Sequence, residues 1–194
     1  MSQENVEIVR GVRYRVTLPD ERAARHRSLD ERLFVRLPAL YHLIAAALMR
    51  LPPRSRIRRL TLTRYVRRAY AAINRRDFEV LFLGLDPDIE YTAAGDVLPP
   101  GMFPPVSHGH AGYEGNWRQL IDSFEDFRVE PQEILDMGET LIACNRYVGH
   151  GSGSGVPVDV PLVFQVARLR NGLVIWQKDF SDRAEALEAA GLSE

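Results

Sequence analysis

Apolar positions change their spacing along the chain, and each change marks an element. Leu62, Val66, Ala69, Tyr70 and Ile73 recur at helical spacing and predict one buried helix face. Asp77 is placed to cap a short second helix ending at Gly84, and Asp86-Pro87-Asp88 reads as a turn before a strand at Ile89–Thr92. Residues 95–109 hold four prolines and three glycines and read as a loop. Tyr113, Trp117, Leu120, Ile121 and Phe124 then give a strong amphipathic helix. Strands follow at 140–149, 156–170 and 173–180, with a weaker one near 128–136. Asn171-Gly172 is a type I′ hairpin signal, Asp182 with Glu185 a capping box, and Gly191 a helix stop. Helices, a strand, a helix and a run of strands make an α+β fold with a curved, mainly antiparallel sheet.

The segment before this domain is patterned differently. Residues 1–10 read as a short helix, Arg13–Leu18 as a short strand ended by Pro19-Asp20, and residues 20–36 as charged and partly helical. Leu37, Leu40, Tyr41, Ile44, Leu48 and Leu51 fall at helical spacing, predicting one packed helix that Pro52-Pro53 stops. Its uncharged run, Leu37–Met49, is 13 residues, against roughly 20 needed to span a bilayer. The alternative is a helix lying on a membrane surface, residues 33–51 making the contact.

The net charge of −1 hides an asymmetry: residues 1–76 carry +12 and residues 77–194 carry −13. The basic part either docks on the acidic part, stays solvated, or meets an anionic membrane surface. No aromatic-studded basic strand or zinc finger supports nucleic acid, and no nucleic-acid partner is expected. The single cysteine, Cys144, excludes a disulfide framework within the chain and cysteine-rich zinc patterns. The first residues show no secretory pattern, so a cytoplasmic location is expected.

Several short stretches resemble one family. Residues 66–77 (VRRAYAAINRRD) resemble its first helix, residues 85–91 (LDPDIEY) the approach to its first strand, Gly109-His110-Ala111-Gly112 its glycine-bearing turn, and residues 181–187 (SDRAEAL) its C-terminal ending. On these residues, Thr63–Glu194 resembles a SnoaL-like domain of the nuclear transport factor 2-like superfamily. The resemblance implies a cone-shaped α+β barrel whose helices fill a curved sheet and leave one apolar pocket. It implies a small, largely apolar ligand and no cofactor. It leaves function open between cofactor-independent cyclases, isomerases, dehydratases, epoxide hydrolases and non-enzymes. The domain expected is 60–194, with residues 1–59 a basic, partly helical extension.

Strand parity selects the candidate site. A two-residue turn at Asn171-Gly172 pairs Phe164 with Asp179 and Val166 with Gln177 if the ladder is unbroken. The even positions from Val156 to Val166 are all apolar, so this face is assigned to the interior, with Phe164, Asp179 and Gln177 on it. A carboxylate on an apolar face is paired, protonated or poised for proton transfer. Asp179 is therefore either the catalytic acid or base, or a strand-end residue holding the following helix. Asn145 and Tyr147 share the interior face as hydrogen-bond partners for a ligand oxygen or as satisfied core residues. Tyr91, His108, His110 and Trp117 complete the candidate binding set; His108 and His110 lack a third metal ligand at matching spacing. The odd positions pair Val163 with Phe180, Ala167 with Trp176 and Leu169 with Val174, a second apolar face that needs a cover. That cover is either a second copy, giving a homodimer through the outer sheet face, or the chain's own N-terminal helix.

Overall fold

The chain's architecture is given by a computed structural model, which describes residues 11–16, 18, 26–94 and 102–192. The helix read at residues 1–10 lies outside the described residues. Six helices are described: α1 (Leu29–Arg36), α2 (Pro38–Met49), α3 (Arg56–Asn74), α4 (Phe78–Phe82), α5 (Gly109–Asp122) and α6 (Arg183–Ala189). Seven strands, β1 (Val12–Arg15), β2 (Leu85–Thr92), β3 (Ser107–His108), β4 (Arg128–Asp136), β5 (Thr140–His150), β6 (Pro157–Arg170) and β7 (Leu173–Phe180), form one sheet in the order β1-β4-β5-β6-β7-β2-β3. Every neighbouring pair is antiparallel except β2–β7, which is parallel. The expected α+β class and curved, mainly antiparallel sheet are therefore present. Helices α3, α4 and α5 lie against one sheet face, where Leu62, Val66, Ile73, Leu81, Trp117 and Leu120 join strand residues in the main core.

Local signals explain the ends of these elements. Asp77 accepts from Val80 N and starts α4, and Asp182 accepts from Glu185 N at 3.0 Å and starts α6. Asn171 and Gly172 both have positive φ, 53° and 83°, as a type I′ turn requires. Asp86 Oδ1 accepts from Asp88 N as a turn would, yet β2 runs through this stretch with a break in register between Leu85 and Glu90.

The helix expected around Leu37–Leu51 is α2, the stretch expected to be partly helical at residues 20–36 contains α1, and the two are bent by 108° where they meet. Pro38 has no N–H to donate and disfavours helical geometry in the residue before it, and Leu37 sits at φ −130°, ψ 63°. Helix α2 packs on the domain through Tyr41, whose ring meets Phe34 edge-on at 5.4 Å and stacks with Tyr65 at 6.5 Å. Its middle touches the β6–β7 turn so closely that a Cβ on Gly172 would stand 2.7 Å from the Ala45 backbone. No single helix among the described residues is long and apolar enough to cross a membrane.

Two bulges correct the strand parity. Between β6 and β7 the register runs Leu169–Val174, then Arg168–Trp176, so Ile175 is an extra residue. Asp179 is thereby opposite Gln165, not Phe164, and Gln177 is opposite Ala167, not Val166. Between β5 and β6, Tyr147 pairs with Val160 but Asn145 pairs with Val163, which places another extra residue on β6. The even residues do not form one interior face: Val160 packs on the main core, Val156 and Leu162 are exposed, and Phe164 and Val166 lie in a second cluster on the other side of the sheet. Val163, expected outside, is in the main core, and Ala167 packs against it. Gln177 and Asp179 keep their expected side because the two bulges offset: the one after Val160 turns the odd β6 residues inward, and the one at Ile175 sets Gln177 and Asp179 opposite them.

The second cluster joins Phe164, Val166, Ile142, Cys144 and Phe180, with Trp176 and Leu187 packed against it. The observed outer pairs are Phe164–Phe180, Val166–Lys178 and Arg168–Trp176. Helix α6 covers part of this face through Ala186 and Leu187, and the Arg168 guanidinium lies 4.7 Å from the Trp176 ring centre. On the same sheet's exposed side, Arg146 forms a forked ion pair with Asp159.

Candidate functional site

Six strand positions and two helix positions bring a continuous polar cluster into the main core. Strand alternation points Asn145 and Tyr147 of β5, Gln165 of β6, Gln177 and Asp179 of β7 and Tyr91 of β2 to the helix side. Tyr70 on α3 and Tyr113 on α5 descend to meet them. All eight are buried.

Their hydrogen bonds form one chain. Tyr70 OH donates to Gln165 Oε1 at 2.7 Å and accepts from Asn145 Nδ2 at 2.8 Å. Asn145 Nδ2 also donates to Gln165 Oε1 at 2.9 Å. Gln165 Nε2 reaches both Tyr147 Oη and Asp179 Oδ2 at 3.2 Å. Tyr91 OH donates to Asp179 Oδ2 at 2.9 Å, and Gln177 Nε2 donates to Asp179 Oδ1 at 3.1 Å. Tyr113 OH closes the chain on Gln177 Oε1 at 3.1 Å. Asn145 Oδ1 and Trp117 Nε1 are buried with no hydrogen-bond partner in the protein.

Charge in this cluster is governed by burial. Desolvation pushes the Asp179 carboxyl up to about 6, against the opposing pull of hydrogen bonds from Gln165, Gln177, Tyr91 and Tyr147. Burial also holds the phenols of Tyr70, Tyr91 and Tyr147 well above their ordinary value, with the nearby Asp179 charge adding to the rise. These phenols therefore stay protonated and act as donors. A carboxyl poised near 6 exchanges a proton close to neutral pH, which is the property general acid–base chemistry needs.

The cluster backs onto a cavity of about 70 Å³. Gln165, Gln177, Tyr70 and Tyr113 line it beside apolar Leu141, Ala143 and Val174. Asp179 lies one layer behind, its oxygens held by the two glutamine amides and Tyr91. A second, larger cavity of about 220 Å³ lies between α1, α2, α3 and the β6–β7 hairpin. Tyr65 lines both.

The predicted residues thus divide. Asp179, Asn145, Tyr147, Gln177 and Tyr91 come together in the cluster. Trp117 is buried beside it, its ring 6.2 Å from that of Tyr147. His110 is apart, stacked on Phe82 at 4.2 Å with Nε2 3.1 Å from Leu85 O. His108 is exposed before the start of α5. Phe164 is on the opposite face of the sheet, for the bulge reason given above. Asp179 makes no hydrogen bond with Asp182 or α6, so it does not serve as the holder of that helix. Gln165, Tyr70 and Tyr113 complete the cluster without having been singled out as site residues. A glutamine inside an otherwise apolar strand was the readable signal for Gln165; the two tyrosines sit on helix faces that read as ordinary core.

Comparison with known proteins agrees with this architecture. The SnoaL-like domain family matches residues 66–176. A comparison with curated proteins gave no match. Among solved structures, an NTF2-like protein of unknown function from Burkholderia pseudomallei K96243 is 25% identical, with a TM-score of 0.54 over 64% of this chain and 93% of that one. IdmH, a putative polyketide cyclase from Streptomyces antibioticus, is 22% identical, with a TM-score of 0.53 over 67% and 98%. A putative SnoaL-like polyketide cyclase from Jannaschia sp. CCS1 is 18% identical, with a TM-score of 0.54 over 66% and 88%. The last two likenesses speak to the fold. With the family match spanning more than half of the sequence and the curved sheet enclosing helices and a cavity, the chain belongs to the SnoaL-like family of the nuclear transport factor 2-like superfamily.

Proposed function

We propose that this protein binds a small, largely apolar molecule in the cavity between α3, α5 and the sheet, and that Asp179 moves a proton on it without a cofactor. The observation that carries the reading is a buried carboxyl, held near neutral titration, one amide layer behind that cavity. The ligand's oxygen takes the place of the Gln177 amide at Asp179 Oδ1. Tyr91 and Gln165 stay on Oδ2 and keep the carboxyl oriented. As a carboxylate, Asp179 takes a proton from a carbon beside a carbonyl; as an acid, it gives one to an oxygen that is leaving or being opened. Cyclisation, isomerisation, dehydration and epoxide opening all reduce to these two transfers.

A second reading, an inert binding pocket, draws on the fact that both Asp179 oxygens are already hydrogen-bonded and that Gln165 and Gln177 face the cavity instead. One experiment separates the two. Native mass spectrometry of the purified full chain identifies the co-purified molecule, and that molecule is then incubated with wild type and Asp179→Asn. The acid–base reading expects conversion by wild type and a loss of about 100-fold or more in the variant, the usual range for a positioned acid or base. Binding by both proteins with conversion by neither establishes the inert pocket.

We also propose that the chain forms a homodimer through the outer sheet face, with Trp176 as its anchor. Support comes from the Trp176 ring, which α6 leaves partly exposed. Sedimentation velocity is expected to show a wild-type dimer that Trp176→Glu splits. A monomeric wild type at the same concentration rejects this interface.

A further inference from the structure

The 220 Å³ cavity is built largely by the segment that precedes the family domain. Phe34 of α1 and Tyr41, Ile44, Leu48 and Met49 of α2 form its outer wall; α3 and Leu169 form the inner one. The solved relatives match 64–67% of this chain while spanning 88–98% of their own. The family match begins at residue 66, beyond every α1 and α2 residue of the wall.

Charged groups at this cavity are already satisfied. All of the Arg58 donor atoms are engaged: Nε and one terminal nitrogen with Asp136, that same nitrogen with Gly138 O, and the other with Met49 O and Leu51 O. Asp30 is held by Arg64 and Arg68. The wall therefore offers apolar surface and no free counter-charge, which suits an uncharged occupant.

The two cavities lie along one helix. Arg58, Thr61, Leu62 and Tyr65 of α3 line the larger, and Tyr65, Val66, Ala69, Tyr70 and Ile73 line the smaller. At about 1.5 Å rise per residue the combined site is roughly 20 Å long. Tyr65 is the partition. Its hydroxyl donates to Gly84 O at 3.1 Å, and its ring occupies space that a Cβ on Gly84 would enter, 2.2 Å from the hydroxyl oxygen.

We infer that the extension completes a two-part ligand site: the outer chamber holds the apolar body of an elongated, uncharged molecule, whose oxygen-bearing end reaches the Gln165 and Gln177 amides past a displaced Tyr65 ring. This rests on the binding reading above and extends it outward from the inner cavity. It assigns ligand-length selection to α1 and α2 and polar-end recognition to the sheet.

The test uses the full chain and the uncharged fluorescent probe N-phenyl-1-naphthylamine, displaced by 1-octanol or 1-dodecanol. Wild type is expected to bind the probe, and dodecanol to displace it. Leu48→Trp and Ile44→Trp, which fill the outer chamber, are expected to weaken the probe by about tenfold or more. Ala143→Leu, which fills the inner cavity, is expected to keep probe binding within about twofold and to weaken dodecanol more than octanol. Thermal melts identify which variants are folded, and two chamber variants guard against the failure of one. Folded chamber variants that bind like wild type overturn the inference. If Ala143→Leu then loses the probe, the inner-pocket reading survives while the chamber falls. No probe binding by wild type overturns the inference, and the Asp179 turnover assay judges the inner site separately.

Discussion

Replacing Arg58 with methionine is expected to cost the fold about 3–5 kcal/mol, read as a shift in urea unfolding of the full chain. Arg58 and Asp136 are both fully buried, their side chains 2% and 0% exposed. The pair is forked, with Nε 2.8 Å from Asp136 Oδ2 and a terminal nitrogen 2.7 Å from Oδ1. The other contacts make it a junction: Met49 O and Leu51 O belong to the end of α2 and the chain just after it, Asp136 to the end of β4, and Gly138 O to the next turn. Methionine fills the volume but leaves a buried carboxylate and three carbonyls without their donor. The end of α2 loses its link through Arg58 to β4 at the same moment, so proteolysis between α2 and α3 is expected to accelerate. Arg58→Met with Asp136→Leu removes both charges and is expected to recover part of the loss. A single-variant loss below about 1 kcal/mol contradicts this account of the junction.

The second large effect is on how stability depends on pH. Burial raises the Asp179 carboxyl to about 6, above the ordinary carboxylate value of about 4. A raised acid binds its proton more tightly in the folded state than in the unfolded one. Its contribution to stability is therefore greatest below about pH 4, falls as pH rises through 4 to 6, and levels off above. Over that span the loss is on the order of 3 kcal/mol. Asp179→Asn removes the titration while keeping the shape. The stability difference, wild type minus variant, is expected to fall by about that amount between pH 4 and pH 7. Parallel pH profiles for the two proteins contradict a raised carboxyl at this position.

The secondary structure was legible because its signals are local. The Asn171-Gly172 turn, the Asp77 and Asp182 caps and the alternation of β5 each depend on residues close in sequence. The bulge at Ile175 was not legible, since no residue near it announces an extra position, whereas the one after Val160 had a signal in Pro161, which cannot donate to the ladder. That is why Phe164 falls on the opposite face from the one expected, while Asp179 and Gln177 keep theirs, the second bulge offsetting the first. Asn145, Tyr147 and Tyr91 were readable as polar or amphipathic residues on an inward face. Tyr70, Tyr113 and the Arg58–Asp136 junction depend on partners 64–95 positions away along the chain, beyond any local pattern. The bend at Leu37-Pro38 falls where the charged stretch ending at Arg36 gives way to the apolar helix, and the proline marks it.

Asp179 is a desolvated carboxyl near neutral titration, one amide layer behind the inner cavity. Carbon-13 NMR of the labelled side-chain carboxyl, followed from pH 3 to pH 8 and assigned by its absence in Asp179→Asn, measures this directly. A midpoint of about 6 is expected. A midpoint at or below about 4, the ordinary carboxylate value, would contradict it.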